Sequence, residues 1–542
     1  TTERLCPVCA MVSKLMKTNF SYAFAVIGLF AILAGAFFAG RLINQPREID
    51  IASLPGAVET QTVELKDGDT YEMTASYVKM RIGDRDYAML AYNGSVPGPM
   101  LKVSQGSEIT LRLKNDTDIE TMLHSHGLRL DNASDGTHLV QEPIPPGGEF
   151  TYTLSFPDAG LYWYHPHVRE DLAQDLGLYG NYLVVPSDEE YWSEVNREIP
   201  LFLDDILVDS NGAMVPHGSE NANFALMGRY GNVMFINGES NYSLKAQPGE
   251  TLRLFITNAA NVRPFRLAIP GVKLKLVGSD SGAYERETWQ EAVTIAPSER
   301  AVVEVMFEAA GRYTLENQTP ERNTVLGTVL VSGEMAKPSY ATEFAKLREH
   351  EAVIDEIDAL RPFFSGPIDK TLRLSVDMGA EMNAMIQDGS HMMGDGSTMH
   401  GGMMMGGSED GIEWEDTSGM MNAMADSSMI DWKMIDEQTG REDEDIGWQF
   451  AVGDKVKIRI VNDENSPHPM QHPIHFHGQR FLVIAKNGIE ETNLVWKDTV
   501  LIPTGESVDI LLDVTNPGEW MAHCHIAEHL EAGMMMPFTV RE

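Results

Sequence analysis

The sequence of 542 residues has only three cysteines, Cys6, Cys9 and Cys524. A fold held together by a disulfide framework needs more, so that class is excluded. Basic residues are also scarce, with 41 Lys and Arg against 80 Asp and Glu, and the net charge is −39. Such acidity argues against binding to nucleic-acid phosphates or to an anionic lipid surface. Because 43% of residues are hydrophobic, the chain can build proper cores, and wholesale disorder is excluded too.

One long apolar run lies near the N-terminus. Residues 20–40 carry no charge and are numerous enough to cross a bilayer as a helix. Lys14 and Lys17 precede them, which favours a cytoplasmic N-terminus and export of the rest of the chain. Ala34-Gly35-Ala36 resembles a cleavage site, so a cleaved signal peptide is the alternative to a membrane anchor. In both cases we expect an extracytoplasmic protein, periplasmic or at the cell surface.

The segment before this run, residues 1–19, contains Cys6 and Cys9 in a Cys-x-x-Cys pattern, with Met11 close behind. These are soft ligands, and they predict a metal site only weakly because a second pair is missing. A reduced cysteine pair without function is the alternative. Residues 41–57 form a linker to the body of the chain.

The body alternates apolar and polar residues, as in Ile109, Leu111 and Leu113. Period-two alternation bounded by Gly, Pro and Asn predicts half-buried strands and an all-β protein. One strand motif occurs three times, at 106–115, 249–258 and 453–462. We therefore expect three related β-sandwich domains, at residues 58–188, 195–335 and 365–542, with a linker at 336–364.

Ten of the 16 histidines fall in four short clusters, all in the two outer domains. The corresponding stretches of the middle domain have none, which argues against a purely structural role. On a strand, residues i and i+2 face the same side, so each His-x-His pair presents two imidazoles to one metal cluster. The clusters are His124-Ser-His126, His165-Pro-His167, His472-Pro-Ile-His475-Phe-His477 and His523-Cys524-His525, the last followed by His529.

In His523-Cys524-His525 the thiol faces away from the two histidines, which assigns Cys524 to a different metal. Together with His472, His529 and Met534 it makes the two-histidine, one-cysteine, weak-methionine set of a blue-copper site. Zinc is the alternative, although its structural sites rarely include a thioether.

These motifs resemble the multicopper oxidases over about residues 58–542. The resemblance implies three cupredoxin-like Greek-key domains and four copper ions. His472, Cys524, His529 and Met534 would hold the type 1 ion, and His124 and His475 the type 2 ion. The type 3 pair would take His126, His165, His167, His477, His523 and His525.

The implied reaction couples four one-electron oxidations to the reduction of O2 to water. Protons have to be supplied by carboxylates. Asp135 matches an Asp of bacterial members, with a plain Asp-Gly turn as the alternative. Where several members have a proton-relaying Glu, this chain has Leu530, so Glu528 and Glu531 are the candidate substitutes.

The third domain carries a Met-rich insert, residues 378–434, with 14 of the 31 methionines. Thioethers select Cu(I), and the insert resembles that of periplasmic cuprous oxidases. Met470 matches a substrate-holding Met of that subgroup, whose neighbouring carboxylate is replaced by His468. Glu413, Glu415 or Asp416 could supply that carboxylate. The candidate Cu(I) ligands are Met470, Met392, Met393, Met399, Met403, Met404 and Met405.

The favoured function is therefore an exported, monomeric Cu(I) oxidase for copper tolerance. A laccase-like oxidase of phenols is the main alternative, in which the insert is only a lid. A copper nitrite reductase is disfavoured by the complete trinuclear set, and a copper-storage role by the complete set of ligands.

Overall fold

The computed structural model describes residues 49–379, 390–392, 398–400 and 410–542. Strands dominate these residues, and no helix among them is longer than eight residues. In the strand Glu108–Asn115 every second residue is buried, as its alternating sequence predicts. The prediction of an all-β protein is confirmed.

Strands β1–β9 form two sheets whose inner faces share one hydrophobic core that includes Leu101, Leu111 and Tyr182. Across the first sheet lie β3 (Arg85–Tyr92), β2 (Thr70–Ile82), β5 (Glu108–Asn115) and β7 (Glu149–Ser155). Across the second lie β1 (Thr62–Glu64), β4 (Met100–Ser104), β9 (Gly180–Val185), β8 (Gly160–His165) and β6 (His124–His126).

Strands β10–β20 form a second pair of sheets around a core that includes Leu254, Phe265 and Val303. Across the six-stranded sheet lie β11 (Val233–Ile236), β10 (Arg197–Ile206), β13 (Thr251–Asn258), β18 (Arg300–Met306), β15 (Leu274–Ser279) and β16 (Gly282–Gln290). Across the five-stranded sheet lie β12 (Tyr242–Ala246), β20 (Asn323–Val331), β19 (Gly311–Gln318), β14 (Phe265–Ala268) and β17 (Ala292–Ile295).

The remaining strands surround a third core that contains Cys524, Met470 and Met534. The larger sheet consists of β25 (Arg441–Glu442), β24 (Ile430–Asp436), β21 (Lys370–Met378), β27 (Lys455–Asn462), β33 (Ser507–Asp513), β29 (Arg480–Lys486), β30 (Ile489–Glu490) and β31 (Trp496–Lys497). The smaller one consists of β26 (Trp448–Ala451), β35 (Met535–Arg541), β34 (Gly518–Cys524), β28 (His472–Phe476) and β32 (Thr499–Ile502). A short ladder pairs β22 (Ser390–Met392) with β23 (Thr398–His400).

Helices are few and lie in the connections. They are α1 (Glu170–Ala173), α2 (Ala341–Ala345), α3 (Glu351–Asp358), α4 (Gly419–Met424) and α5 (Ala527–Glu531), with 3-10 turns at Ile51–Ser53, Asn132–Ser134, Arg361–Phe363 and Asp443–Asp445. Helices α2 and α3 fall in the predicted linker 336–364.

The predicted membrane or signal segment, residues 20–40, and the pair Cys6 and Cys9 lie outside the described residues. Among the residues that are described, no helix is both long and apolar enough to span a membrane.

The Met-rich range begins and ends in core strands. Met378 closes β21 and Met434 lies in β24, and both side chains are buried. These two strands pair antiparallel, with Met378 opposite Ile430. The excursion between the strands is therefore a long connection within one hairpin.

Candidate metal centre

Strand register brings the histidine clusters together in pairs. His124 of β6 lies opposite His165 of β8, and His475 of β28 lies opposite His523 of β34. Directly opposite residues project from the same face of a sheet, so each pair shares one side. The structure then joins the two faces: the ring centroids of His124 and His477 are 4.0 Å apart, and those of His126 and His475 are 3.6 Å apart.

The ring orientation of four of these histidines follows from their partners. A carbonyl oxygen can only accept a hydrogen bond, so a ring nitrogen facing one carries the proton. The other nitrogen then presents a lone pair to the cluster. The Nδ1 atoms concerned are those of His124 (to the Asp135 carbonyl, 2.8 Å), His165 (Pro166, 2.8 Å), His475 (Asp498, 2.8 Å) and His523 (Cys524, 2.9 Å).

Lone pairs consequently face each other. The Nε2 atoms of His477 and His523 are 3.0 Å apart, although the Nδ1 atoms of both rings already donate elsewhere. Two lone pairs at this distance repel each other unless a cation lies between them. The Nε2 atoms of His165 and His525 are 3.3 Å apart, and Nδ1 of His525 is buried without a partner among the described residues, so that ring can carry its proton on either nitrogen.

Five ring nitrogens of this histidine cluster are buried and have no hydrogen-bond partner among the described residues. They are Nε2 of His124, His167 and His475, and Nδ1 of His126 and His525. Burial and the neighbouring imidazoles hold the pKa of His126, His165 and His477 well below the usual value. Neutral imidazole is the form that binds metals, so the set fits several close metal ions.

A second cluster lies around Cys524. Its Sγ atom is 3.5 Å from Nδ1 of His472 and 3.8 Å from Nδ1 of His529, and the two nitrogens are 3.3 Å apart. All three side chains are buried. Burial raises the pKa of the Cys524 thiol, so a thiolate here needs a cation. This triangle of two imidazoles and one sulfur fits a soft or borderline metal.

The backbone of Met534 is hydrogen-bonded to two residues of this triangle. Its carbonyl accepts from the Cys524 amide at 3.1 Å, and its own amide donates to the His529 carbonyl at 3.0 Å. The side chain is fully buried in the same core as Cys524.

The two clusters are joined by one peptide segment. Cys524 belongs to the second cluster, whereas its neighbours His523 and His525 belong to the first. The Nδ1 atom of His523 also donates to the Cys524 carbonyl at 2.9 Å, which adds a hydrogen bond beside the covalent path.

An aromatic side chain from β24 covers the second cluster. The ring of Trp432 stacks on His529 with centroids 4.1 Å apart and meets His472 edge-on at 4.9 Å. His468, also beside Trp432 at 6.3 Å, is buried, and its Nε2 has no partner among the described residues. Met470 is fully buried in the core.

Asp135 contacts two of the histidines. Its carbonyl accepts from His124, and its Oδ2 accepts from Nδ1 of His477 at 3.0 Å. The residue is 2% exposed and ends the 3-10 turn Asn132–Ser134. It therefore orients rings of both outer strand groups, which a plain surface turn would not do.

The two candidate glutamates lie on α5, which also carries His529. Glu528 is fully buried, accepts from Asn261 at 3.0 Å, and has its pKa raised to about 8 by burial. Burial also raises the pKa of Glu531 to about 7. Glu531 lines a cleft of about 600 Å³ whose lining also includes His167 and Glu170.

The expected carboxylates of the Met-rich range have different surroundings. Glu415 pairs with Arg263 at 3.1 Å and with Arg322, and Asp416 accepts from Asn422. Of the three, Glu413 contacts the residue directly before His472: its Oε2 accepts from the Gln471 amide at 3.4 Å, and burial raises the pKa of Glu413 to about 7.

Of the methionines predicted to bind Cu(I), Met392 lies in β22 and Met399 in β23. Met393, Met403, Met404 and Met405 lie outside the described residues.

Sequence reasoning missed several residues around the histidines. Glu170, three residues after His167, puts Oε1 3.3 Å from Nδ1 of that ring; the spacing was readable, but a carboxylate there is also common on surfaces. No local motif marks Asp498 or Arg300. They reach the histidine cluster through contacts between residues that are far apart in the sequence. Trp432 lies within the Met-rich range, where the methionines were the feature that indicated a function.

Comparison with known proteins agrees with this geometry. Three family models, each described as multicopper oxidase, match residues 74–189, 197–333 and 416–542. The fold and the site together define a copper-dependent oxidoreductase that uses O2 as electron acceptor. The chain belongs to the multicopper oxidase family.

Its relatives include proteins of different names. The multicopper oxidase MmcO of Mycobacterium tuberculosis is 26% identical, over 93% of this chain and 94% of that protein. The copper resistance protein A homolog of Pseudomonas syringae pv. tomato is 24% identical, over 88% and 93%. Laccase-3 of Oryza sativa subsp. japonica is 25% identical, over 84% and 89%.

Solved structures share the fold. A multicopper oxidase from Campylobacter jejuni, described as a metallo-oxidase, superposes with a TM-score of 0.64 at 23% identity, covering 92% of this chain and 98% of that one. McoA from Aquifex aeolicus gives 0.65 at 21%, covering 90% and 100%. These likenesses support the expected cupredoxin-like domains.

Proposed function

We propose that this enzyme holds four copper ions and oxidises Cu(I) for copper tolerance. His472, Cys524, His529 and Met534 would hold the type 1 ion. His124 and His475 would hold the type 2 ion, and His126, His165, His167, His477, His523 and His525 the type 3 pair. The observation that carries this assignment is the cluster of buried, neutral imidazoles, in which the Nε2 lone pairs of His477 and His523 face each other at 3.0 Å and five other ring nitrogens have no partner among the described residues.

When bound, the copper ions supply one-electron acceptance at the first centre and four-electron reduction of O2 at the second. The chain supplies the path between them. The Cys524 side chain belongs to one centre, and its peptide neighbours His523 and His525 belong to the other. The hydrogen bond from His523 to the Cys524 carbonyl shortens this path.

Proton supply is assigned to carboxylates beside the trinuclear histidines. Asp135 orients His477 and His124, and Glu531 lines the cleft that reaches His167. Glu528 is held by Asn261. With pKa values of about 8 and about 7, Glu528 and Glu531 can hold and release a proton near neutral pH.

Cu(I) is favoured as substrate by the position of the Met-rich range. Both ends of the excursion are strands of the hairpin whose Trp432 stacks on His529. On its return, Met420, Met424 and Met429 expose 60%, 54% and 37% of their surface. Exposed thioethers are unusual on a protein surface and suit Cu(I). Relatives named copper resistance protein A are consistent with this substrate.

A laccase-like oxidation of phenols is the second candidate. It is favoured by the similarity to proteins named laccase, among them Laccase-3 of rice. Under that function the Met-rich range would only restrict access to the type 1 centre.

The cellular setting is part of the same proposal. An anchor or signal at residues 20–40 would place the three domains, at 58–188, 195–335 and 365–542, outside the cytoplasm as a monomer. There the enzyme would meet incoming Cu(I) and O2.

Oxygen uptake by the copper-loaded protein distinguishes the two substrates, with either chelated Cu(I) or a bulky phenol as electron donor. The enzyme should turn over Cu(I) faster. The triple variant Met420→Ser, Met424→Ser, Met429→Ser should lose much of that rate and keep phenol oxidation, because these side chains are outside the core.

Met335→Ser is the matched control. Met335 is 59% exposed, just after the strand group without candidate ligands, and its replacement should change neither rate. Oxidation of the phenol alone, unaffected by the triple variant, would make the protein a laccase-like enzyme.

A further inference from the structure

The middle strand group contributes no candidate copper ligand, yet one of its charged side chains reaches toward the histidines. Arg300, the first residue of β18, is fully buried. Its Nη1 donates to Oδ1 of Asp498 at 2.7 Å, and its Nη2 donates to Oδ2 at 2.5 Å. Such a two-point contact fixes the plane of the carboxylate.

The guanidinium is itself held rigidly. Its Nε donates to the Leu161 carbonyl at 2.9 Å, and Nη1 donates to the Ser298 carbonyl at 3.0 Å. Asp280 lies 3.7 Å from Nη1, and Lys497 lies 3.0 Å from Asp280 on the other side. These contacts hold the Arg300 guanidinium in one orientation, and its two nitrogens hold the Asp498 carboxylate in place.

Asp498 in turn contacts two histidines. Its Oδ1 accepts from Nε2 of His126 at 2.9 Å, and its backbone carbonyl accepts from Nδ1 of His475 at 2.8 Å. Gly127 makes room for it, because a Cβ there would lie 2.3 Å from Oδ2 of Asp498. One carboxylate thus links all three strand groups at the histidine cluster.

The contact decides which nitrogen of His126 faces the cluster. A neutral imidazole has one N–H, and the Asp498 carboxylate, which accepts only, draws it to Nε2. Nδ1, buried and without a partner among the described residues, keeps its lone pair. In the four rings held by carbonyls, the proton lies on Nδ1 instead.

We propose that Arg300 is a positioning residue for the trinuclear centre: by fixing Asp498 it sets the tautomer of His126 and the orientation of His475. This rests on the proposed copper assignment. Partners of ligating histidines commonly contribute 10–100-fold to metal affinity. Here that contribution would come from the domain that holds no metal.

The test compares Arg300→Met, Arg300→Lys and Asp498→Asn with the wild-type enzyme, all loaded with copper. The readouts are copper per chain, the rate of copper loss to a chelator, and the type 2 signal in electron paramagnetic resonance. Arg253→Met is the matched control, since Arg253 is buried in the same strand group and paired with Glu304 at 2.8 Å, away from the histidines.

We expect Arg300→Met and Asp498→Asn to weaken retention of the trinuclear ions about 10–100-fold and to alter the type 2 signal, while the blue type 1 absorption persists. Arg300→Lys should recover part of the loss, because lysine restores the positive charge but cannot make the two-point contact with the carboxylate. Arg253→Met should keep its copper.

Wild-type retention and signal in Arg300→Met would overturn the inference, as would an equal copper loss in Arg253→Met. A wild-type enzyme that binds type 1 copper but no trinuclear ions would overturn the proposed function and this inference with it. If Arg300→Met does not fold, Arg300→Lys decides: full wild-type retention and signal in that variant would overturn the role of Arg300, and Asp498→Asn tests the carboxylate separately.

Discussion

At the scale of single residues, Cys524 has the most specific surroundings. It is the one described cysteine, it is buried, and two imidazole nitrogens lie within 3.8 Å of its sulfur. Serine has nearly the same shape but offers a hard oxygen in place of a soft sulfur.

Cys524→Ser should therefore abolish the blue absorption and Cu(I) oxidation and lower the copper content by one ion per chain. Visible spectroscopy and metal analysis check this. The double variant Cys6→Ser, Cys9→Ser is the control and should stay blue. A blue Cys524→Ser protein would exclude the type 1 assignment.

Glu413 provides a pH-dependent prediction. Burial raises its pKa from 4.5 to about 7. Between these values the folded state keeps a proton that the unfolded state has lost, so the contribution of Glu413 to the free energy of unfolding falls as pH rises. Glu413→Gln cannot ionise and removes this contribution.

The urea midpoint of the copper-free protein should consequently fall less in Glu413→Gln than in wild type between about pH 4.5 and pH 7. Denaturation monitored by tryptophan fluorescence measures it. Identical pH profiles would contradict the buried, protonated state of this side chain.

At the scale of elements, the two strands of the hairpin β21–β24 belong to the hydrophobic core, and the connection between them is the Met-rich excursion. Trp432 and Met434 are core residues, so removal of the whole range 378–434 should unfold the third strand group. Replacement of residues 380–409 alone by a short Gly-Ser linker keeps both strands.

The shorter deletion should fold, retain its copper, and lose Cu(I) oxidation relative to phenol oxidation. Circular dichroism and oxygen uptake measure the two properties. An undiminished Cu(I) rate would exclude residues 380–409 as ligands that the substrate needs.

At the scale of the whole molecule, the histidine cluster joins separate strand groups. Rings from β6 and β28 stack at 3.6 Å, and each has one buried ring nitrogen without a hydrogen-bond partner among the described residues. Copper removal should therefore lower the melting temperature strongly. An ion whose free concentration is a thousand times its Kd stabilises the folded state by about 4 kcal/mol.

Differential scanning calorimetry of the copper-free and reloaded enzyme tests this. Reloading should restore the melting temperature in wild type. Equal melting temperatures in both states would show that the cluster does not bind metal in the folded protein.

Local sequence patterns predicted the strands and the arrangement of the histidines. Alternation foretold strands such as β5, and the His-x-His spacing foretold imidazoles on one face. The contacts of Asp498, Arg300 and Trp432 could not be predicted, because they join distant parts of the sequence whose proximity depends on how the sheets pack.

The stoichiometry of O2 reduction is the sharpest test of a Cu(I) oxidase with a complete trinuclear centre. Chelated Cu(I) is supplied to the copper-loaded enzyme, and Cu(I) oxidised, O2 consumed and peroxide formed are measured together. We expect four Cu(I) to be oxidised per O2, with no peroxide, because a complete trinuclear centre reduces O2 to water. Two Cu(I) per O2 with accumulating peroxide, or no O2 uptake at all, would contradict it.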